Sequence, residues 1–115
     1  MIRHHHECAA EVREKMRGGK GTVRIEHYWS KAELNPRTRL CAKLILEPGA
    51  SIGEHEHGQE EEVYIVLEGR GRIVEGETVT EVGPGDTILT GNGACHAVEC
   101  VGDETLEILA FIVTF

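Results

Sequence analysis

From residue 22 onward, apolar and polar side chains alternate with a period of two, and the alternation is broken repeatedly by glycine-bearing turns. A period of two sends successive side chains to opposite faces of an extended strand, so this part of the chain reads as a succession of β-strands. Residues 22–29 carry Val23, Ile25 and His27 on one face and Thr22, Arg24, Glu26 and Tyr28 on the other, which predicts a half-exposed strand. In residues 38–46, Leu40, Ala42, Leu44 and Leu46 oppose Cys41, Lys43 and Ile45, the pattern of a strand buried on one side and partly covered on the other. Lys43 then points outward, its stem lying on the sheet, and would reach an interior only if that face were the inner one. Further strands are predicted at 63–67, 71–74, 78–82, 87–90, 95–101 and 105–115, with Pro48-Gly49 and Pro84-Gly85 at the centres of type II turns and Gly102-Asp103 closing the last hairpin.

The first residues follow another rhythm. Cys8, Ala9, Val12 and Met16 repeat at helical spacing, Glu11 precedes Lys15 by four, and Gly18-Gly19 supplies a stop, so a short N-terminal helix is expected over residues 4–17. His4, His5 and His6 read as a solvated terminus, because neighbours on a helix point about 100° apart and do not converge on one ion. Gly18-Gly19-Lys20-Gly21 lacks the spacing of a phosphate loop and reads as a flexible linker. The expected organisation is a helix and linker over residues 1–21 and a single β domain over 22–115. Many short strands with no helix between them exclude a parallel α/β sheet and call for an all-β sandwich or small barrel.

Segment 63–67 is apolar on both faces and 106–113 is nearly so, although the wall of a single barrel buries only one. A second copy of the chain packed on the outer face accounts for this, so a homodimer is expected.

Composition narrows the partners. The chain has 115 residues and a formal charge of −8, which repels phosphate backbones and anionic lipid, so neither nucleic acid nor membrane is expected as a partner. No apolar run approaches the roughly 20 residues of a membrane span, and the first residues lack the apolar core of a signal peptide, which leads to an expected cytoplasmic location. Cys8, Cys41, Cys95 and Cys100 are irregularly spaced without a C-x-x-C pair, consistent with free thiols in a reducing compartment.

The candidate chemistry lies in PGASIGEHEHGQEEEVYIVLEG. His55 and His57 share one face of an extended strand, about 7 Å apart along it. Glu62 opens the next strand, so a short connection returns its carboxylate towards both imidazoles, and His96 lies beyond a later glycine-marked turn. Three imidazoles and one carboxylate are ligands for a first-row divalent ion and leave a six-coordinate ion with two open positions. Glu54, Glu56, Glu60 and Glu61 read as a solvated rim.

These residues carry a family resemblance. Gly49, His55, His57, Glu62 and Gly69 satisfy the spacing G-x5-H-x-H-x4-E-x6-G, and Gly85, Gly93 and His96 satisfy most of G-x5-P-x-G-x2-H-x3-N, with Gly91 in place of the proline and Cys100 in place of the asparagine. This resembles the two motifs of the cupins. The resemblance implies a double-stranded β-helix of jelly-roll type with one divalent transition metal (Mn, Fe, Ni, Co or Zn) held by His55, His57, Glu62 and His96. It also implies a small-molecule substrate, an oxygen-rich acid, a carbonyl compound or a sugar, handled by an enzyme of the dioxygenase, decarboxylase, isomerase or lyase type. The alternatives are a module that binds such a ligand without turnover, and a metal that only braces the fold. Pleat parity from Glu62 and His96 places Tyr64 and Cys100 on the ligand side as the nearest protic groups, each a candidate for proton transfer or for packing.

Overall fold

The structure is a computed structural model that describes residues 1–115. Ten strands form two antiparallel sheets: β1 (Ala9–Glu14), β2 (Thr22–His27), β3 (Thr38–Leu46), β4 (Ser51–Glu56), β5 (Glu60–Glu68), β6 (Arg70–Glu75), β7 (Thr78–Val82), β8 (Thr87–Gly91), β9 (Cys95–Val101) and β10 (Leu106–Thr114). The larger sheet has the order β1-β2-β3-β10-β5-β8 and the smaller one β4-β9-β6-β7. The two face each other in the jelly-roll arrangement that the strand pattern and the motifs led us to expect. The alternating residues meet between them: Val23, Ile25, Leu44 and Leu46 from β2 and β3, Tyr64 and Val66 from β5, and Leu106, Ile108 and Ala110 from β10 pack against Ile52, Ile73, Val98 and Cys100 of the smaller sheet. Both proline-glycine turns form, with Ala50 N donating to Glu47 O at 2.8 Å and Asp86 N donating to Gly83 O at 3.0 Å, and Gly49 and Gly85 adopt the positive φ (+81° and +90°) such turns require. No helix is long and apolar enough to cross a membrane.

The helix expected over residues 4–17 does not form. Its first residues make one 3-10 turn, His5–Glu7, and the rest is β1, paired antiparallel with β2 from Ala9 opposite His27 to Glu14 opposite Thr22. The physical reason is a competition for backbone hydrogen bonds. An isolated helix of this length is marginal in water, whereas the free edge of β2 offers a ready ladder. The glycine-rich segment after β1 is docked rather than loose. Lys15 N donates to Gly21 O at 2.9 Å, a 3-10 turn spans Met16–Gly18, and Ser51 N donates to Lys20 O at 2.8 Å while Lys20 N donates to Ser51 Oγ at 2.9 Å. Backbone contact here is close enough to require glycine: a Cβ at Gly53 would run into the carbonyl of Arg17, and one at Gly19 into the carbonyl of Ser51.

Lys43 faces outward, as its strand parity indicated. It pairs with Glu107 at 3.0 Å and with Glu26 at 3.7 Å on the outer side of the larger sheet. That side also presents Val63, Ile65, Leu109 and Phe111 half-buried, with Leu67, Leu89 and Val113 exposed.

Candidate metal centre

Local pairing builds the site. β4 and β9 are neighbours with His55 directly opposite His96, and the register shift between Ile52 and His55 adjusts the strand just before the first ligand. His57 lies one residue past β4, where its backbone is fixed on both sides: His57 N donates to Ala94 O at 3.0 Å and Gly93 N donates to His57 O at 2.9 Å. After a tight turn with Gln59 at φ +54°, the chain returns in β5 and sets Glu62 opposite Thr90 of β8. His57, Glu62 and His96 are 2%, 3% and 1% exposed, so all four groups sit inside the sandwich near one end, with His55 nearest the opening.

The imidazoles converge through their Nε2 atoms. His96 Nε2 is 2.9 Å from His55 Nε2 and 3.0 Å from His57 Nε2. Glu62 Oε1 lies 3.0 Å from the Nε2 atoms of His57 and His96 and 4.0 Å from that of His55. The acceptors behind two of the rings identify their tautomers: His55 Nδ1 donates to Gly53 O at 2.7 Å and His57 Nδ1 to Glu60 Oε1 at 2.8 Å, while His96 Nδ1 shares a hydrogen bond with the Thr90 hydroxyl at 2.9 Å. With Nδ1 protonated, each neutral ring turns a lone pair at Nε2 towards the common centre. Glu62 Oε1 is buried without any hydrogen-bond partner despite its short distances to the rings. Four acceptors facing one another without a proton are unfavourable in a low-dielectric interior, and either a proton shared between Glu62 and a ring or a metal cation at their centre removes the conflict. The group could therefore hold a metal ion, its ligand atoms all lying within 4.8 Å of one another. The donor set suits first-row divalent metals, and the acceptors behind the rings orient them in the way metal-ligating histidines are usually oriented.

Without an ion, the groups compete for a proton instead. Burial pushes the His55 imidazole below its ordinary value. His57 is raised, chiefly by Glu62 and then by Glu60 beyond the opposing effect of burial. For Glu62, burial is the largest influence and opposes ionisation, but the His57 and His96 rings together outweigh it and hold the carboxyl below the ordinary range. Glu60 is held at about 2, first by the Arg39 guanidinium and then by His57.

Glu60 departs from the solvated rim expected for it. Its side chain is 13% exposed and bridges His57 to Arg39, whose Nε and Nη2 donate to its two oxygens at 2.9 and 2.8 Å. Pleat parity held the signal, because Glu60 stands two residues before Glu62 and shares its face; Arg39 lies 21 residues away in sequence and left none. Glu54, Glu56 and Glu61 are exposed, as a rim requires.

A cavity of about 100 Å³ opens over the site. Its floor includes His55, His57, Glu62 and Tyr64, its sides Leu44, Ile52 and Ile112, and its mouth Glu11, Arg13, Arg17, His27 and Arg39. The Tyr64 ring stacks on His96 with centroids 5.0 Å apart, and burial, followed by the Glu62 carboxylate, pushes its phenol well above the ordinary value. Cys100 is buried but does not line this cavity; its thiol donates to Glu104 O at 3.1 Å.

A family model described as a cupin domain matches residues 42–112. The chain belongs to the cupin family. Among curated proteins, this cupin is similar to the oxalate-binding protein of Thermotoga maritima, with 37% identity over 107 residues that cover 93% of this chain and 88% of the relative. It also matches an uncharacterized protein of Methanocaldococcus jannaschii at 37% identity over 68 residues, 59% of this chain and 54% of that one. Among solved structures, a Thermotoga maritima protein described as a predicted oxalate decarboxylase superposes with a TM-score of 0.95 at 36% identity, each chain fully covered. The cupin domain of Schizosaccharomyces pombe Cnp3 superposes with a TM-score of 0.75 at 10% identity, covering 91% of this chain and 69% of the other, a likeness of fold alone.

Proposed function

We propose that this cupin binds one divalent transition metal through His55, His57, Glu62 and His96, and that the metal captures a small oxygen-rich acid, of which oxalate is the first to test. The carrying observation is the unpartnered Glu62 Oε1 among three Nε2 lone pairs, directly below a cavity with room for a few heavy atoms. Ligand pockets commonly run to roughly 300–1,000 Å³, so a cavity of about 100 Å³ favours a small acid over a sugar ring. When bound, the metal would polarise a carboxylate or carbonyl oxygen of the ligand as a Lewis acid. The name of the 37% identical relative, an oxalate-binding protein, supports the choice of ligand.

The reading extends to turnover. The apolar side chains of Leu44, Ile52 and Ile112 exclude water, and Tyr64, on the cavity floor against His96, is the group placed to pass a proton to a bound acid. Cys100 stands outside the cavity, so proton transfer is assigned to Tyr64 and Cys100 is left to packing. Retention of the acid without turnover is the second reading, favoured by the scarcity of protic groups on the cavity floor. Titration calorimetry of the manganese-loaded protein with oxalate tests the binding, and absence of heat at millimolar oxalate would refute it. Release of formate and carbon dioxide from oxalate, lost in Tyr64→Phe with metal retained, separates turnover from retention.

We also infer a homodimer through the outer face of the larger sheet, where Val63, Ile65, Leu109 and Phe111 are only half-covered within the chain and Leu67, Leu89 and Val113 are exposed. Light scattering should give twice the chain mass at micromolar concentration, and a monomer there would refute it. Four free cysteines, two of them buried, support placing the protein in the reducing cytoplasm.

A further inference from the structure

The N-terminal arm carries charge where a barrel wall carries apolar side chains. Residues directly opposite in an antiparallel pair share a face, and Glu11 and Arg13 of β1 stand opposite Ile25 and Val23 of β2, both core residues. Glu11 and Arg13 therefore face inward, over the cavity, while Val12 is turned out and 56% exposed. That is the reverse of the pattern expected for a strand added only for stability. Beyond β1 the backbone enters the left-handed region at two residues that are not glycine, Lys15 (φ +52°) and Arg17 (φ +55°), and this bend brings Arg17 to the cavity mouth. The bend is anchored to the metal site itself. Arg17 carbonyl packs on the Cα of Gly53, whose own carbonyl accepts from the Nδ1 of His55.

Ion pairs at the mouth leave one cation over. Arg13 pairs with Glu11 at 3.2 Å, Glu11 also meets His27 at 3.2 Å, and Arg39 is held by Glu60. Arg17 has no carboxylate partner and makes no side-chain hydrogen bond, so it is the unneutralised positive charge of a cavity inside a protein whose formal charge is −8. A divalent metal with Glu62 would contribute one further net positive charge. The sum, two positive charges lining one small cavity, is complementary to a dianion that meets the metal with one carboxylate and Arg17 with the other.

Resting on the function proposed above, we propose that Arg17 is the specificity-determining residue of the site, binding the distal carboxylate of a small dicarboxylate and selecting it over monocarboxylates and neutral ligands. The side chain is exposed and the position accepts glycine, so Arg17→Gly removes the guanidinium while keeping the left-handed backbone. Calorimetry on manganese-loaded wild type, Arg17→Gly and Arg17→Lys with oxalate, malonate and acetate provides the test, with manganese occupancy measured for each protein. Loss of a charge-assisted hydrogen bond should weaken oxalate and malonate binding roughly 10- to 100-fold in Arg17→Gly. Acetate should change by less than about threefold, manganese occupancy should stay the same, and Arg17→Lys should recover part of the loss as a point charge without the fork. Oxalate binding by Arg17→Gly within about threefold of wild type would overturn the assignment of Arg17 alone, as would an equal loss for acetate or a loss of manganese. A wild-type protein that holds manganese but binds none of the three acids would overturn the underlying function as well.

Discussion

Glu62→Gln should make the metal-free protein more stable and remove its response to metal. In the unsubstituted site, Glu62 Oε1 is a buried acceptor with no partner, facing the Nε2 atoms of three rings whose Nδ1 atoms are engaged by Gly53, Glu60 and Thr90. Leaving one such group unsatisfied costs roughly 1–3 kcal/mol, more when it is charged. The carboxamide of glutamine has nearly the same shape and brings an N–H donor to the acceptors at 3.0 Å. Because Glu62 raises His57, the comparison belongs at a pH where that ring has lost its extra proton; there a gain of about 1–3 kcal/mol is expected, which for a domain of this size corresponds to a Tm increase on the order of 4–12 °C. Wild-type protein should instead gain from metal: at a free concentration one hundred times Kd the linkage is about 2.7 kcal/mol, on the order of 10 °C. Differential scanning calorimetry of both proteins, stripped and loaded, gives the four Tm values required. A stripped Glu62→Gln protein less stable than stripped wild type would refute the opposed acceptors inferred here, and so would a metal response of undiminished size in the variant.

Three further outcomes are expected. Glu60→Ala removes the acceptor that orients His57 but none of the four ligands, so chelator competition should show metal affinity lowered about 10- to 100-fold, with exposed Glu61→Ala as the unchanged control. Glu33 is held at about 2 by Arg3 and by the backbone N–H of Ser30, so its folded value lies below its unfolded one; the contribution is present above the unfolded carboxyl range near ~4.3 and is lost as pH falls through about 2. A carbon-detected NMR titration should find its midpoint near 2, moving up in Arg3→Ala, and an ordinary midpoint in wild type would contradict the pairing. Gly53→Ala places a methyl group against the Arg17 carbonyl, so residues 16–19 must shift; about 1–3 kcal/mol of destabilisation and faster proteolysis within 15–21 are expected, and an unchanged digestion pattern would contradict the close contact.

Much of this molecule was legible in the sequence because β-structure records itself at short range. The alternation of Leu40, Ala42, Leu44 and Leu46 needs only the pleat to separate inside from outside, and the spacing of His55, His57 and Glu62 needs only one turn to bring the three together. What escaped depends on partners distant in the chain. Residues 9–14 have helical spacing of their own, and only the unpaired edge of β2 draws them into a sheet. Glu60 looked like one more acid in a run of three because the residue that pairs with it, Arg39, lies on β3. Arg17 carried no signal at all, since its place at the cavity mouth follows from two left-handed residues that no propensity favours.

The four ligands are divided between the sheets: His55 and His96 stand on β4 and β9 of the smaller one, Glu62 on β5 of the larger, and His57 in the connection between them. An ion held by all four is thus a removable cross-link through the middle of the sandwich, joining two layers that otherwise touch here through side-chain packing and the His96–Thr90 hydrogen bond. Amide hydrogen exchange would register its loss as faster opening of β4 and β9 at that end, while β3, β10 and the outer part of β5, which share a continuous ladder of their own, would keep their protection. Metal supply would then set how tightly the cavity mouth is held together as well as what the cavity can bind.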